Sequence, residues 1–122
     1  MTFHLTSFGY LHGTPPTADR VEDVRDRLRD PAAARDILDL DGHHPRVQAV
    51  VLNTPGAIQL LDNLVNYCEL PATPNRIAIG CAGGRHRAPS LTELLAGLLR
   101  GRGHQVTVEH RDVHRPRVLH PN

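Results

Sequence analysis

Residues 76–100 narrow the fold more than any other stretch, because three kinds of local signal follow one another there without a gap. Arg76-Ile-Ala-Ile-Gly-Cys is a short apolar run of the kind that fills a buried strand. Ala82-Gly83-Gly84-Arg85-His86-Arg87 then forms a glycine-rich turn. From Ser90 to about Arg100, Leu91, Leu94, Leu95, Leu98 and Leu99 recur at helical spacing, with Gly101 or Gly103 as the stop. A buried strand lying between helices predicts a parallel sheet, and 122 residues leave room for one core rather than two. The predicted fold is a small single α/β domain with a mostly parallel sheet flanked by helices.

The remaining elements are read by the same periodicities. Phe3, Leu5 and Ser7 alternate with His4, Thr6 and Phe8, giving a strand that stops at Gly9. Gly13-Thr-Pro-Pro marks a loop. Over 17–29, Val21, Val24 and Leu28 sit at helical spacing in a segment poor in apolar residues, and the expectation is a helix. A second helix is expected from Pro31 to about Leu40, with Ala33, Ile37 and Leu40 on one face, and another turn or two over 45–52. Thr54-Pro55 predicts a helix start, with Thr as the N-cap and Pro where its missing N–H costs nothing. That helix runs to about Tyr67 with Ile58, Leu61, Leu64, Val65 and Cys68 inward. Residues 71–75 read as a loop, and Gln105 to about Val113 as a last strand. The domain is placed at 1–114, with 115–122 as a flexible tail.

Composition removes some mechanisms. All fourteen cationic residues are Arg, so neither a lysine Schiff base nor a P-loop lysine exists in these residues. A net charge of +1 argues against a strongly cationic nucleic-acid module, although residues 100–122 carry a local excess of Arg over a mildly acidic remainder. Cys68 and Cys81 are too few for a disulfide framework and read as free thiols. With no basic and apolar leader pattern at Met1 and no run of 18 apolar residues, the expectation is a soluble cytoplasmic protein without a membrane partner.

The chemistry is expected at 81–87. Glycines let a backbone approach a ligand closely, successive N–H groups point into the turn, and the following helix end adds partial positive charge. Cys81, Ala82, Gly83, Gly84, Arg85, His86 and Arg87 are therefore the candidate anion-binding residues, the two Arg offering planar forks that suit phosphate. The same stretch has Cys81-x5-Arg87, the spacing of the phosphate loop in cysteine-dependent phosphatases, in which a thiolate attacks phosphorus. Gly80 stands where that loop usually has His, and Ala88 where it has Ser or Thr. The first reading is thus a sensing or adapter module, and the alternative is a phosphatase with Cys81 and Arg87 as catalytic residues.

Together with three other segments, this loop resembles the C-terminal domain of the RapZ (YvcJ-type) proteins, RNase adapter proteins of bacteria. The matching stretches are Ser7-Phe8-Gly9-Tyr10 with Gly13 and Pro15; Ala18-Asp19 with Asp23-Val24-Arg25; Ala78 through Arg87; and Gly103-His104-Gln105-Val106 with His110-Arg111. The resemblance implies an α/β domain that binds a phosphorylated amino sugar and structured RNA. It also implies that Asp23-Val24-Arg25 ends a strand, contrary to the periodicity. By position, Gly83, His86 and Arg87 would bind the anion, and Arg25 and Arg87 would contact RNA. The basic C-terminal part adds Arg111 as an RNA candidate. Three departures stand out: Asp30-Pro31 runs directly into Ala32-Ala33-Ala34 where the family has a His-bearing loop, and Ala82 and Ala88 replace a threonine and a serine. The nucleotide-binding P-loop of the longer family chains is not in this sequence, so a separate nucleotide-binding chain and a homodimer both remain open as partners.

His110-x3-His114 and His43-His44 invite a metal reading. No cysteine pair or acidic residue stands at ligand spacing beside them, and the expectation is solvated histidines, no metal and no cofactor.

Overall fold

The computed structural model describes residues 2–26, 37–72 and 75–116. Strand β1 (Thr2–Gly9) opens the chain, followed by a single 3-10 turn (Tyr10–His12) and strand β2 (Arg20–Asp23). Helices α1 (Pro45–Leu52) and α2 (Ala57–Cys68) lead to β3 (Arg76–Cys81), α3 (Arg87–Gly101) and β4 (Gln105–His110). The four strands form one sheet in the order β2-β3-β1-β4, and every pairing is parallel.

Register explains the core. Leu5 lies opposite Ile77 and Val108, and Ser7 opposite Ile79 and His110. The face made by Phe3, Leu5, Ile77, Ile79 and Cys81 takes up Val51 of α1, Leu61 and Leu64 of α2, and Leu91, Leu95 and Leu99 of α3. All three helices therefore pack on one side of the sheet. On the other side His4 pairs with Thr107 across β1 and β4 (Nδ1 to Oγ1 2.6 Å), so alternation along β1 separates apolar from polar partners. Phe8 is the exception on that side, fully buried against Tyr10 with ring centroids 4.8 Å apart.

The expectation of a helix over 17–29 is overturned at 20–23, which form β2. Residues 20–23 pair with 77–80 of β3, and the Asp19 carboxylate receives the N–H groups of Asn75 and Arg76 at 3.0 and 2.9 Å. These two amides hold the Asp19 carboxyl below its ordinary value. A ladder to a partner more than fifty residues away outweighs three apolar residues at helical spacing. Most of the helix expected over 31–40 lies outside the described residues, although Ile37 is buried as expected and closes a turn with Leu40.

Helix α2 starts later than Thr54-Pro55 suggests. The Thr54 hydroxyl donates to the Val50 carbonyl at 3.0 Å and so finishes α1 instead of capping α2. Gly56, with φ of 91°, takes the N-cap position. Leu61, Leu64, Val65 and Cys68 point inward as expected, but Ile58 is 56% exposed because Ala57, one residue earlier, occupies the inward position. In α3 the first turn begins at Arg87 rather than Ser90, and Leu98 lies on the outer edge of the apolar stripe, 43% exposed. β4 stops at His110, short of Val113, which is nonetheless buried. Leu64→Ala is expected to lower unfolding free energy by about 2–5 kcal/mol. Ile58→Ala should stay within about 0.5 kcal/mol, and urea denaturation of the two variants tests this assignment of faces.

Candidate anion-binding loop

The turn between β3 and α3 is set by how closely backbones meet. A Cβ on Gly9 would fall 2.5 Å from the Gly83 carbonyl carbon, and one on Gly84 would fall 2.6 Å from the Gly9 nitrogen. Gly84 also has φ of 72°. Gly80 is fixed by the aromatic pair, since its Cβ would lie 2.4 Å from Phe8 and 2.7 Å from Tyr10. Gly83 differs from all three: a Cβ there meets nothing within 4 Å, and its φ is not positive. No internal contact demands glycine at 83.

Neighbouring groups hold the turn from every side. Cys81, buried at the end of β3, accepts the Gly84 and Ala88 N–H groups on Sγ at 3.2 and 3.4 Å. The Ala82 carbonyl accepts from Leu11 N–H at 3.0 Å. Arg85 donates through Nη2 to the Asp39 carbonyl at 2.9 Å and through Nε to that of Leu40 at 3.4 Å, while its own carbonyl receives Gly42 N–H at 2.8 Å. Arg87 is buried and bridges the carbonyls of Val24 and Arg25 through Nη1 at 3.1 and 2.8 Å. His86 sits at the N-cap of α3 and is also buried. Asp112, with no exposed surface, receives Gly9 N–H at 2.8 Å and Arg111 Nε at 3.0 Å.

All seven residues singled out in the sequence thus fall on one turn at the carboxyl end of a central parallel strand, where α/β sheets bind ligands. The matching profile is described as the RapZ C-terminal domain and covers residues 1–114. The chain belongs to the RapZ C-terminal domain family. Among its relatives, a chain named nucleotide-binding protein from Mycobacterium tuberculosis is 40% identical over 119 residues, covering 89% of this chain and 39% of the relative. Proteins of the same name from Alkaliphilus oremlandii and Trichlorobacter lovleyi are 35% and 36% identical, covering 88% and 92% of this chain and 40% and 42% of theirs. The chain therefore spans about two-fifths of the length of these curated relatives.

In this RapZ C-terminal domain the arginines named for RNA do not stand alike. Arg87 lies beneath the turn. Arg25 is exposed, pairs with Asp23 at 2.7 Å, and stacks over the Tyr10 ring at 3.7 Å. Arg111 lies 5.3 Å from the Phe8 ring centroid on the same side of the sheet, and bonds to Asp112 and the Gly9 and Thr14 carbonyls. Part of the local basic excess is answered within the fold, as Arg102 pairs with Glu69 at 2.7 Å and Arg115 with Asp112 at 3.0 Å. The two thiols differ in setting: Cys68 sits in the α2 core, where burial pushes its pKa up to about 11. Among the described residues, no helix is long and apolar enough to cross a membrane.

His104 pairs with Glu69 at 2.9 Å and meets the Phe3 ring edge-on. The expectation of solvated histidines at 43, 44, 110 and 114 is corrected at His110. His110 is largely buried and lies 2.8 Å from Glu93, an acidic partner that sequence spacing could not reveal because α3 supplies it. His43 joins them, its ring centroid 4.7 Å from that of His110.

Replacing Gly84 by Ala should cost at least about 2 kcal/mol, from the left-handed backbone and the contact with Gly9. Gly83→Ala should change stability by less than about 0.5 kcal/mol. Thermal unfolding of the two variants distinguishes a glycine kept for packing from one kept open.

Proposed function

We propose that this chain is a ligand-binding regulatory domain that takes a phosphorylated small molecule, of the amino-sugar phosphate class, on the backbone amides of the turn at 81–87. The observation that carries this is Gly83. It is crowded by nothing and unstrained, so its lack of a side chain serves an approach from outside the fold. Among the described residues, the Gly83 and Arg85 amides donate to no protein acceptor, and both precede the positive end of a fifteen-residue helix. The turn is braced before any ligand arrives, which spares binding the cost of ordering it.

Cys81 has a structural part in this reading. Its Sγ sits inside the turn as an acceptor for two amides, and the Arg87 Nη1 that would steady a phosphoryl group is engaged with two carbonyls of the β2 end. The relatives' name, nucleotide-binding protein, describes chains much longer than this one, and the proposal does not assign nucleotide hydrolysis to these residues. RNA contact, implied by the family, has its candidates in the exposed Arg25 and the partly buried Arg111, beside Tyr10 and Phe8. Such binding would be electrostatic, weakening as salt rises.

Titrating a hexosamine phosphate into labelled protein should shift the amide resonances of Gly83, Gly84 and Arg87, and Gly83→Ala should weaken binding by about tenfold, the equivalent of one lost amide contact. Absence of shifts on this turn overturns the proposal. The protein is also expected to show no Cys81-dependent hydrolysis of p-nitrophenyl phosphate; turnover lost in Cys81→Ser would favour the phosphatase reading instead.

A further inference from the structure

Three separate parts of the fold bring metal-ligating side chains together beside the turn. His43 comes from the segment before α1, Glu93 from the second turn of α3, and His110 from the last residue of β4. One ligand atom from each lies within 4.8 Å of the others. We infer that His43, Glu93 and His110 form a divalent-metal site of the zinc class.

The surroundings of the two imidazoles carry the inference beyond proximity. A metal-bound histidine almost always has its second ring nitrogen fixed by a carboxylate, backbone carbonyl or water. His43 meets this condition, with Nδ1 3.1 Å from the Asp41 carboxylate, which also receives the His43 backbone N–H at 2.9 Å. At His110 the Ser7 hydroxyl takes that place, 2.6 Å from Nδ1, and Nε2 faces Glu93 at 2.8 Å. With both Nδ1 atoms engaged, the Nε2 atoms are left to bind. The His43 and His110 rings meet almost perpendicularly, at 83°.

The donor set selects the ion. Two neutral imidazoles and one carboxylate suit zinc and its first-row neighbours, whereas magnesium and calcium prefer all-oxygen sites. Ligand atoms in a tetrahedral zinc site are about 3.3 Å apart, as follows from bonds of about 2.0–2.1 Å. His110 and Glu93 are already closer than that. His43, on a half-exposed side chain, has to close the remaining distance by a small rotation. His114, exposed, stacks parallel to His43 with centroids 6.2 Å apart.

Such an ion would tie the segment around His43 to α3 and β4. Gly42, the preceding residue, donates its N–H to the Arg85 carbonyl, so the metal would also stiffen the turn through this bond. The inference does not depend on what the turn binds.

The test is calorimetric titration of chelator-treated full chain with zinc, and with magnesium as control, supported by circular dichroism of each variant. One zinc per chain is expected, with no magnesium binding at the same concentrations. Asp41→Asn should weaken zinc affinity by about 10–100-fold, as loss of a supporting carboxylate does. His43→Ala and Glu93→Gln should weaken it further without loss of fold, since His43 is half-exposed and Gln keeps a hydrogen-bond partner for His110. No zinc uptake, or uptake of equal affinity in the wild type and in His43→Ala and Glu93→Gln, overturns the site and assigns any binding to scattered surface histidines.

Discussion

The backbones of Gly9 and Gly84 meet with no room for a side chain on either, and much of the carboxyl end of this domain follows from that contact. β1 is the strand shared by β3 and β4, so its last residue lies beside the turn that follows β3. Any side chain at 9 would push Gly83 and Gly84 outward and shift the first turn of α3. Asp112 reinforces the contact from the segment that follows β4. Its buried carboxylate takes Gly9 N–H, and its Cβ lies 3.0 Å from where a Gly84 Cβ would be. A carboxylate without solvent needs compensating partners: here the Gly9 amide and Arg111 bond to Oδ2, and Arg115 lies 3.0 Å from Oδ1 as an ion-pair partner.

From this junction the position of the candidate site is geometrically determined. Parallel strands put their carboxyl ends on one edge, and the crossover from β3 to β4 runs through α3, so the turn after β3 leads into a helix N-terminus. The apolar stripe of α3 fixes that helix on the face formed by Ile77, Ile79 and Leu5. Its first turn cannot move unless Leu91 and Leu95 leave the core. The amides above Gly83 are therefore held by burial of leucine side chains as well as by local hydrogen bonds.

How much of this was legible from the residues depended on whether the deciding interaction was local. β1, β3 and the inward face of α3 follow from alternation or helical spacing, and the glycine-rich turn announced itself by composition. β2 did not, because the ladder to 77–80 and the Asp19 contacts to 75–76 are long-range and leave only a misleading period of Val21, Val24 and Leu28. Thr54 is a good N-cap in isolation, but its hydroxyl bonds to the Val50 carbonyl, α2 starts after Gly56, and Ile58 faces outward. The grouping of His43, Glu93 and His110 was least accessible. Spacing rules compare residues on one element, whereas these three meet only because β4 pairs with β1 in a register that sets His110 opposite Ser7.

The exclusive use of Arg has a consequence that net charge conceals. Arg85, Arg87 and Arg111 each donate to two backbone carbonyls, the first two joining the turn to 39–40 and to the end of β2, and Arg111 joining the segment after β4 to Gly9 and Thr14. A guanidinium has five donors in a fixed plane and can satisfy separate acceptors while remaining charged, which a lysine ammonium does less well. These cations thus work first as braces between chain segments. Their charge still raises the potential at the turn, and in the proposed binding mode directional recognition would fall to the amides, whose positions the braces fix. On the reading proposed above, a site built in this way would distinguish ligands by the shape of the anion more than by its charge, and a chain of nearly neutral total charge can hold it.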